Sequence, residues 1–213
     1  PGSMDLFDTI SVTFNEPVLD INKDMFFLDQ KIDTVWNTVD FDFFPDSTNS
    51  LNYFIRRPWK YGEEYRIEVD SAAIHSLYGK WNDFFTGEFK IKKEAEYGPL
   101  YLNINGVDTT AFVELLSTGD ALVRKAKVKD GGVLFMDLKP DKYYARIVID
   151  TNDNGVWDTG NYAEKRQPEE VYYSPKMYEI MQNWQVEETW NVNSTPLAKQ
   201  KPLEITKNKP KEA

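Results

Sequence analysis

The stretch that decides the fold is Tyr143-Tyr144-Ala145-Arg146-Ile147-Val148-Ile149, which runs straight into Asp150-Thr151-Asn152-Asp153-Asn154-Gly155-Val156-Trp157-Asp158-Thr159-Gly160. In the second half, oxygen-bearing side chains stand at the first, third, fifth and ninth positions: Asp150, Asn152, Asn154 and Asp158. Gly155 occupies the sixth. This is the spacing by which a short loop wraps a hard cation, with oxygens pointing inward and the glycine taking the tight turn. Val156, in seventh place, would add its backbone carbonyl. A helical calcium hand needs a bidentate glutamate at the twelfth position and helices on both sides. Here the twelfth residue is Asn161, and Glu164 reaches in only if the chain folds back. The preceding segment is strand-like. The spacing therefore predicts a clasp between two strands, with calcium held by Asp150, Asn152, Asn154, Asp158 and the Val156 carbonyl. Two carboxylates and two amides give low ligand charge, hence weak affinity suited to millimolar extracellular calcium. The competing expectation is a plain polar turn whose Asn, Asp and Gly residues satisfy their own backbone.

Upstream of this loop, short apolar runs recur between turn signals. Leu100, Leu102 and Ile104 alternate with polar residues, Ala111 to Leu116 is a compact apolar run, and Val123 to Val128 alternates again. Asp130-Gly131-Gly132 turns the chain into Val133 to Met136. Downstream, Trp184, Val186, Trp190 and Val192 are expected on one strand face. Before residue 94 the same rhythm holds at Ile10 to Phe14, Met25 to Leu28, Val35 to Phe44, Tyr53 to Ile55, Tyr65 to Val69 and Phe89 to Lys92. Ser71 to Tyr78 suggests a short helical turn. Glu94 to Pro99, charged and then Gly-Pro, marks the domain boundary. Short strands at this spacing, without a long amphipathic helix, indicate an all-β chain of two tandem antiparallel β-sandwiches.

Particular residues carry resemblances. Ile10 to Val18 reads ISVTFNEPV, Lys60 to Val69 reads KYGEEYRIEV, and Leu77 to Lys93 reads LYGKWNDFFTGEFKIKK. Together they resemble the bacterial Ig-like module of S-layer proteins and surface lipoproteins over residues 5–93, which implies a spacer or presentation domain without catalytic residues. Phe135, Leu138, Pro140 and Tyr143 or Tyr144 are similar to the recurring pattern of transthyretin-like (prealbumin-like) sandwiches, giving a second domain over 97–192. The Asp150–Gly160 run resembles the calcium loop of B-type repeats in Gram-positive adhesins. As a whole the chain resembles the C-terminal part of a family of Ig-like-domain lipoproteins of Gram-negative bacteria with no assigned activity. That resemblance implies an extracytoplasmic location at the outer membrane or cell surface, with membrane attachment only through a lipid anchor on a missing N-terminal part. Pro1-Gly2-Ser3-Met4 reads as a cloning scar, and the lysine- and proline-rich residues 193–213 as a flexible tail.

Composition narrows the classes. Of 213 residues, 41% are hydrophobic and 15% aromatic, enough for real cores. The net charge of −10 lacks the basic face that nucleic acid requires. No cysteine is present, which removes disulfides, thiolate catalysis and thiolate zinc sites. No run approaches the roughly 20 apolar residues of a membrane helix. The single histidine, His75, stands near Asp70, Ser71 and Ser76 without any nucleophile elbow, so a hydrolytic triad is not expected. The pairs Glu63-Glu64, Glu169-Glu170 and Glu187-Glu188 point to opposite faces if extended and make no glycosidase dyad. Most of Trp36, Trp59, Trp81, Trp157, Trp184 and Trp190 are expected in the cores, with Trp157 packing its loop onto the sheet. The expectation is a non-enzymatic structural or adhesion-type module stiffened by calcium. The alternatives are a carbohydrate-binding accessory module using exposed aromatics, or a subunit of an outer-membrane assembly; the protein or glycan partner is open.

Overall fold

The computed structural model describes residues 2–107, 110–196 and 199–205. The chain divides into two compact units, Pro1–Glu94 and Ala95–Ala213, and each is a β-sandwich.

The first unit contains β1 (Gly2–Met4), β2 (Ile10–Thr13), β3 (Val18–Ile21), β4 (Phe26–Ile32), β5 (Val35–Thr38), β6 (Asp42–Pro45), β7 (Asn52–Arg56), β8 (Glu64–Val69), β9 (Ile74–Ser76) and β10 (Phe85–Ile91). One sheet has the order β1-β10-β8-β4-β5, a second β2-β7-β6, and β3 pairs with β9 as a ribbon. Strand β8 shows the governing rule. Tyr65, Ile67 and Val69 are buried while Glu64, Arg66 and Glu68 stay half-exposed, as their period of two requires. Leu28, Ile55 and Ile91 join them in one core drawn from both sheets. The buried Asp29 is paired: Arg66 bonds it at 2.8 Å and the Thr38 hydroxyl at 2.9 Å.

Two sequence expectations are corrected here. Val35 to Phe44 is two strands, because the chain leaves one sheet after Thr38 and enters the other at Asp42. Ser71 to Tyr78 is not helical; Ile74–Ser76 pairs with Val18–Ile21. Gly2–Met4 pairs in parallel with Phe89, Lys90 and Ile91.

The second unit contains β11 (Gly98–Asn105), β12 (Ala111–Leu116), β13 (Leu122–Lys127), β14 (Gly132–Leu138), β15 (Lys142–Ile149), β16 (Val171–Tyr173), β17 (Tyr178–Glu179) and β18 (Val186–Asn191). One sheet is β14-β11-β18; the other is β13-β12-β15-β16, with β17 also pairing β15. Leu100, Leu102, Phe135 and Trp190 from the first meet Val113, Leu115, Ala145 and Ile147 from the second in a continuous core. Strand β12 is buried at all six positions, so its Glu114 must be paired; Arg146, opposite it in register, bonds it at 2.6 Å. Among the described residues, strand pairing is antiparallel except β1–β10 and β11–β18. Gly98-Pro99 opens β11 rather than breaking the chain. A Cβ on Gly98 would lie 2.4 Å from the Met181 carbonyl oxygen, so only glycine lets these backbones approach.

The expected flexible tail is corrected as far as Ile205. Gln200 is buried, its amide donating to the Val192 and Thr195 carbonyls while its carbonyl accepts from the Tyr173 N–H. Ile205 is buried with Leu116 and Tyr144. Residues 206–213 of that expectation lie outside the described residues.

Tyr178 is 3% exposed, and its hydroxyl shares a 2.7 Å hydrogen bond with Ser174. Burial pushes its pKa from 10.0 up to about 12, against the lowering effect of that bond. A folded-state pKa raised in this way gives stability that is full below pH 10 and lost as pH rises through about 12. Two pKa units correspond to about 2.7 kcal/mol. Denaturant unfolding followed from pH 9 upward is expected to show this decline, and Tyr178→Phe to flatten it.

Candidate functional site

The Asp150–Gly160 loop leaves β15 and returns toward β16 within the same sheet. Backbone conformation explains its sequence. Gly155 has φ +74, a left-handed geometry that disfavours any side chain and lets the loop reverse at its sixth residue. Asp150 is 1% exposed, and its two carboxylate oxygens accept from the Asn154 N–H at 3.1 Å and the Gly155 N–H at 2.8 Å. Asn152 Oδ1 accepts from the Asn154 N–H at 3.1 Å, and Asn154 Oδ1 from the Val156 N–H at 2.7 Å. These successive turns place both amide groups around Asp158. Asn152 Nδ2 donates to Asp158 Oδ2 at 2.5 Å, and Asn154 Nδ2 to the same oxygen at 2.9 Å.

The fold thus gathers the side chains of Asp150, Asn152, Asn154 and Asp158 into one hydrogen-bonded loop. Val156 enters it through its N–H, with a side chain 59% exposed. The donor set is two carboxylates and two amides, and no group of three or more His, Cys, Asp or Glu able to hold a metal occurs among the described residues. As the loop stands, Asn152 and Asn154 turn their amide nitrogens to Asp158 while their oxygens accept backbone N–H groups, so a hard cation would need both amides to rotate and present oxygen. Two lysines from β13 hold the outer side. Lys125 Nζ donates to the Gly155 carbonyl at 2.5 Å, and Lys127 Nζ to Asp153 at 2.7 Å. The Asp153 hydrogen bond, reinforced by the charges of Asp153 and Asp150, raises the Lys127 pKa despite desolvation. These ammonium groups offset part of the loop's negative charge.

The residue that sequence reasoning missed is Glu169. Its carboxylate, 9% exposed, accepts from the Thr151 N–H at 2.8 Å, the Thr151 hydroxyl at 3.0 Å and the Asp158 N–H at 3.1 Å. It ties the entry of the loop to its exit. Its backbone joins in: the Glu169 N–H donates to the Asp158 carbonyl at 3.1 Å, and its own carbonyl accepts from Trp157 Nε1 at 2.9 Å. Glu164 does not reach in; it is exposed and faces Arg166 at 3.9 Å. Asn161 instead heads a tight turn, exchanging backbone hydrogen bonds with Arg166. The opposite-face rule used against a Glu169-Glu170 dyad was the available signal, since it sends one of the two inward while Glu170 bonds the Tyr172 hydroxyl at 2.6 Å.

The other candidates separate clearly. Trp59 and Trp190 are buried, but Trp81, Trp157 and Trp184 are 64%, 45% and 60% exposed, which corrects the expectation that most tryptophans are core. Trp157 is tethered by its ring N–H rather than packed under the loop. Trp184 precedes β18 and does not share the inward face of Trp190. His75 lies on β9 opposite Asp20 and bridges to Trp81, while the Ser76 hydroxyl accepts from the N–H groups of Tyr78 and Lys80.

No protein-family model matches the chain, and no curated protein matches it. Among solved structures it is similar to the N-terminal part of the bacterial S-layer protein SbsC, with TM-score 0.34 and 15% identity over 71% of this chain and 40% of that one. It is also similar to the group B streptococcus pilus 2b backbone protein, with TM-score 0.24 and 11% identity over 87% and 85% of the two chains. A leucine-rich repeat protein from Bacteroides thetaiotaomicron gives TM-score 0.26 and 9% identity over 86% of this chain and 26% of that one. The chain thus spans less than half of the S-layer fragment and of the leucine-rich repeat protein. At these scores the similarities do not bear on what the chain does.

Proposed function

We propose that the chain is a non-catalytic, extracytoplasmic structural or adhesion-type module whose second sandwich is clasped by calcium in the Asp150–Gly160 loop. The observation that carries this is the convergence of Asn152 and Asn154 on Asp158 Oδ2, above a buried Asp150, in a loop joining two strands of one sheet. Calcium there would be held by Asp150, Asn152, Asn154, Asp158 and the Val156 carbonyl, and would neutralise two carboxylates whose proximity costs stability. Low ligand charge suits millimolar calcium, which is the concentration outside the cytoplasm. An outer-membrane or cell-surface location through a lipid anchor follows from the lipoprotein resemblance. The second reading, carbohydrate binding, is favoured by the exposure of Trp81, Trp157 and Trp184; it requires quenching of tryptophan fluorescence by a glycan.

Terbium luminescence tests the metal directly, because Trp157 within the loop serves as the antenna. Excitation of tryptophan is expected to give terbium emission that saturates, is reversed by millimolar calcium and disappears in Asp158→Ala. Undiminished emission in Asp158→Ala, or none from the unmodified chain, would sink the proposal.

A further inference from the structure

Asn154 and Gly155 adjoin at the fifth and sixth positions of the loop. An asparagine followed by glycine can lose its side-chain amide with water as the only other reactant. The glycine nitrogen attacks the asparagine Cγ, and no side chain on the glycine stands in the way. Three things in the surroundings favour this step: an acceptor for the attacking N–H, a donor to the oxygen on which charge builds, and access for water. The loop supplies all three. The Gly155 N–H donates to Asp150 Oδ2 at 2.8 Å, and the Val156 N–H donates to Asn154 Oδ1 at 2.7 Å. Asp150 is buried, which holds its carboxylate on that N–H, while Asn154 is exposed.

The chain carries its own comparison. Asn105-Gly106-Val107 repeats the tripeptide Asn154-Gly155-Val156, and no other Asn-Gly pair occurs in the sequence. Both glycines have positive φ, +88 at Gly106 and +74 at Gly155. Asn105 is exposed like Asn154. Yet among the described residues no carboxylate accepts from the Gly106 N–H, and no backbone N–H donates to the Asn105 side chain. Gly106 is met instead at its carbonyl, by Asn193 Nδ2 at 3.3 Å.

We propose that Asn154 is a self-modification site, deamidated by attack of the Gly155 nitrogen with Asp150 as the proton acceptor. The N–Cγ bond forms and the Cγ–Nδ2 bond breaks. Ammonia leaves with the proton that Asp150 took from the Gly155 nitrogen and water returned. Water then opens the succinimide ring at one of its two carbonyls, leaving aspartate or isoaspartate at position 154. The product alters the loop. Asn154 Nδ2 now donates to Asp158 Oδ2 at 2.9 Å; in the aspartate form two carboxylates meet there and repel unless a cation joins them. On the calcium reading, on which this consequence alone rests, the ligand set gains a third carboxylate and binds calcium more tightly.

The test incubates the full chain in EDTA at neutral pH and follows the exchange of amide for acid at both asparagines by peptide mass spectrometry. In the folded chain Asn154 is expected to convert at least about tenfold faster than Asn105, and in denaturing urea at about the same rate, because Asp150 then leaves the Gly155 N–H. Asp150→Asn is expected to slow Asn154 in the folded chain at least about tenfold. The urea comparison on the unmodified chain decides the matter should that variant not fold. Conversion of Asn154 no faster than of Asn105, a lead that persists in urea, or an unchanged rate in folded Asp150→Asn overturns the proposal. Asn154→Asp, which supplies the aspartate product directly, is expected to bind calcium at least about threefold more tightly when calcium displaces terbium. Equal affinity would overturn that consequence. Absence of terbium emission from both chains would overturn the clasp, and the mass measurement would still decide the modification.

Discussion

Glu169→Ala is expected to cost about 3 kcal/mol and to abolish any response of the second sandwich to calcium. The carboxylate is 9% exposed and accepts three hydrogen bonds, two from Thr151 and one from the Asp158 N–H. A hydrogen bond to a charged group contributes about 1.5–3 kcal/mol, and part of the loss is recovered where water reaches the freed N–H groups. The distinguishing feature is the coupling. Glu169 contributes no oxygen to the proposed ligand set, yet it fixes the distance between the ends of the loop that carries it. Glu169→Gln keeps the shape and one acceptor, so it is expected to fall between the two. Denaturant unfolding with and without calcium measures both effects; a stability loss below about 1 kcal/mol would mean that the loop closes without this residue.

Trp190→Ala is expected to cost about 3–5 kcal/mol, in the range for removing a large aromatic side chain from a packed core. Trp190 is 4% exposed and lies beside Ile104 in the parallel pairing of β18 with β11. It also packs in the core formed by both sheets of the second sandwich. The loss is expected in the second unit alone, so thermal unfolding should show one transition lowered and the other retained. Trp184→Ala, a few residues upstream but 60% exposed, is the matched control and is expected to change stability by less than about 0.5 kcal/mol.

Where burial is one-sided, the sequence carries the strand in plain view. Tyr65, Ile67 and Val69 alternate, and so do Leu100, Leu102 and Ile104, because each strand has one face in a core. The wholly buried β12 is legible for the opposite reason, as an apolar run with one paired charge. Three-residue strands are not: Ile74-His75-Ser76 is too short to show a period. Nor is the crossing at Val39–Phe41, where apolar alternation continues while the chain changes sheets. Composition misled in the C-terminal segment, where lysines and prolines surround two anchors, Gln200 and Ile205. In the loop, the positions of Asp150, Asn152, Asn154 and Asp158 were legible from spacing alone. Glu169 was not, because it stands eleven positions beyond Asp158, past a tight turn at Asn161–Arg166, and only the folded chain brings them together.

Scanning calorimetry of the full chain in calcium and in EDTA tests the calcium clasp most directly. For a site of millimolar affinity, calcium at ten times its dissociation constant adds about 1.4 kcal/mol. In a unit of this size that raises the melting temperature by roughly 5–10 °C. The transition of the second sandwich, identified by its lowering in Trp190→Ala, is expected to rise by that amount while the other stays in place. Coincident melting curves in EDTA and in calcium at ten times that dissociation constant would contradict the clasp and leave the loop a self-satisfied turn.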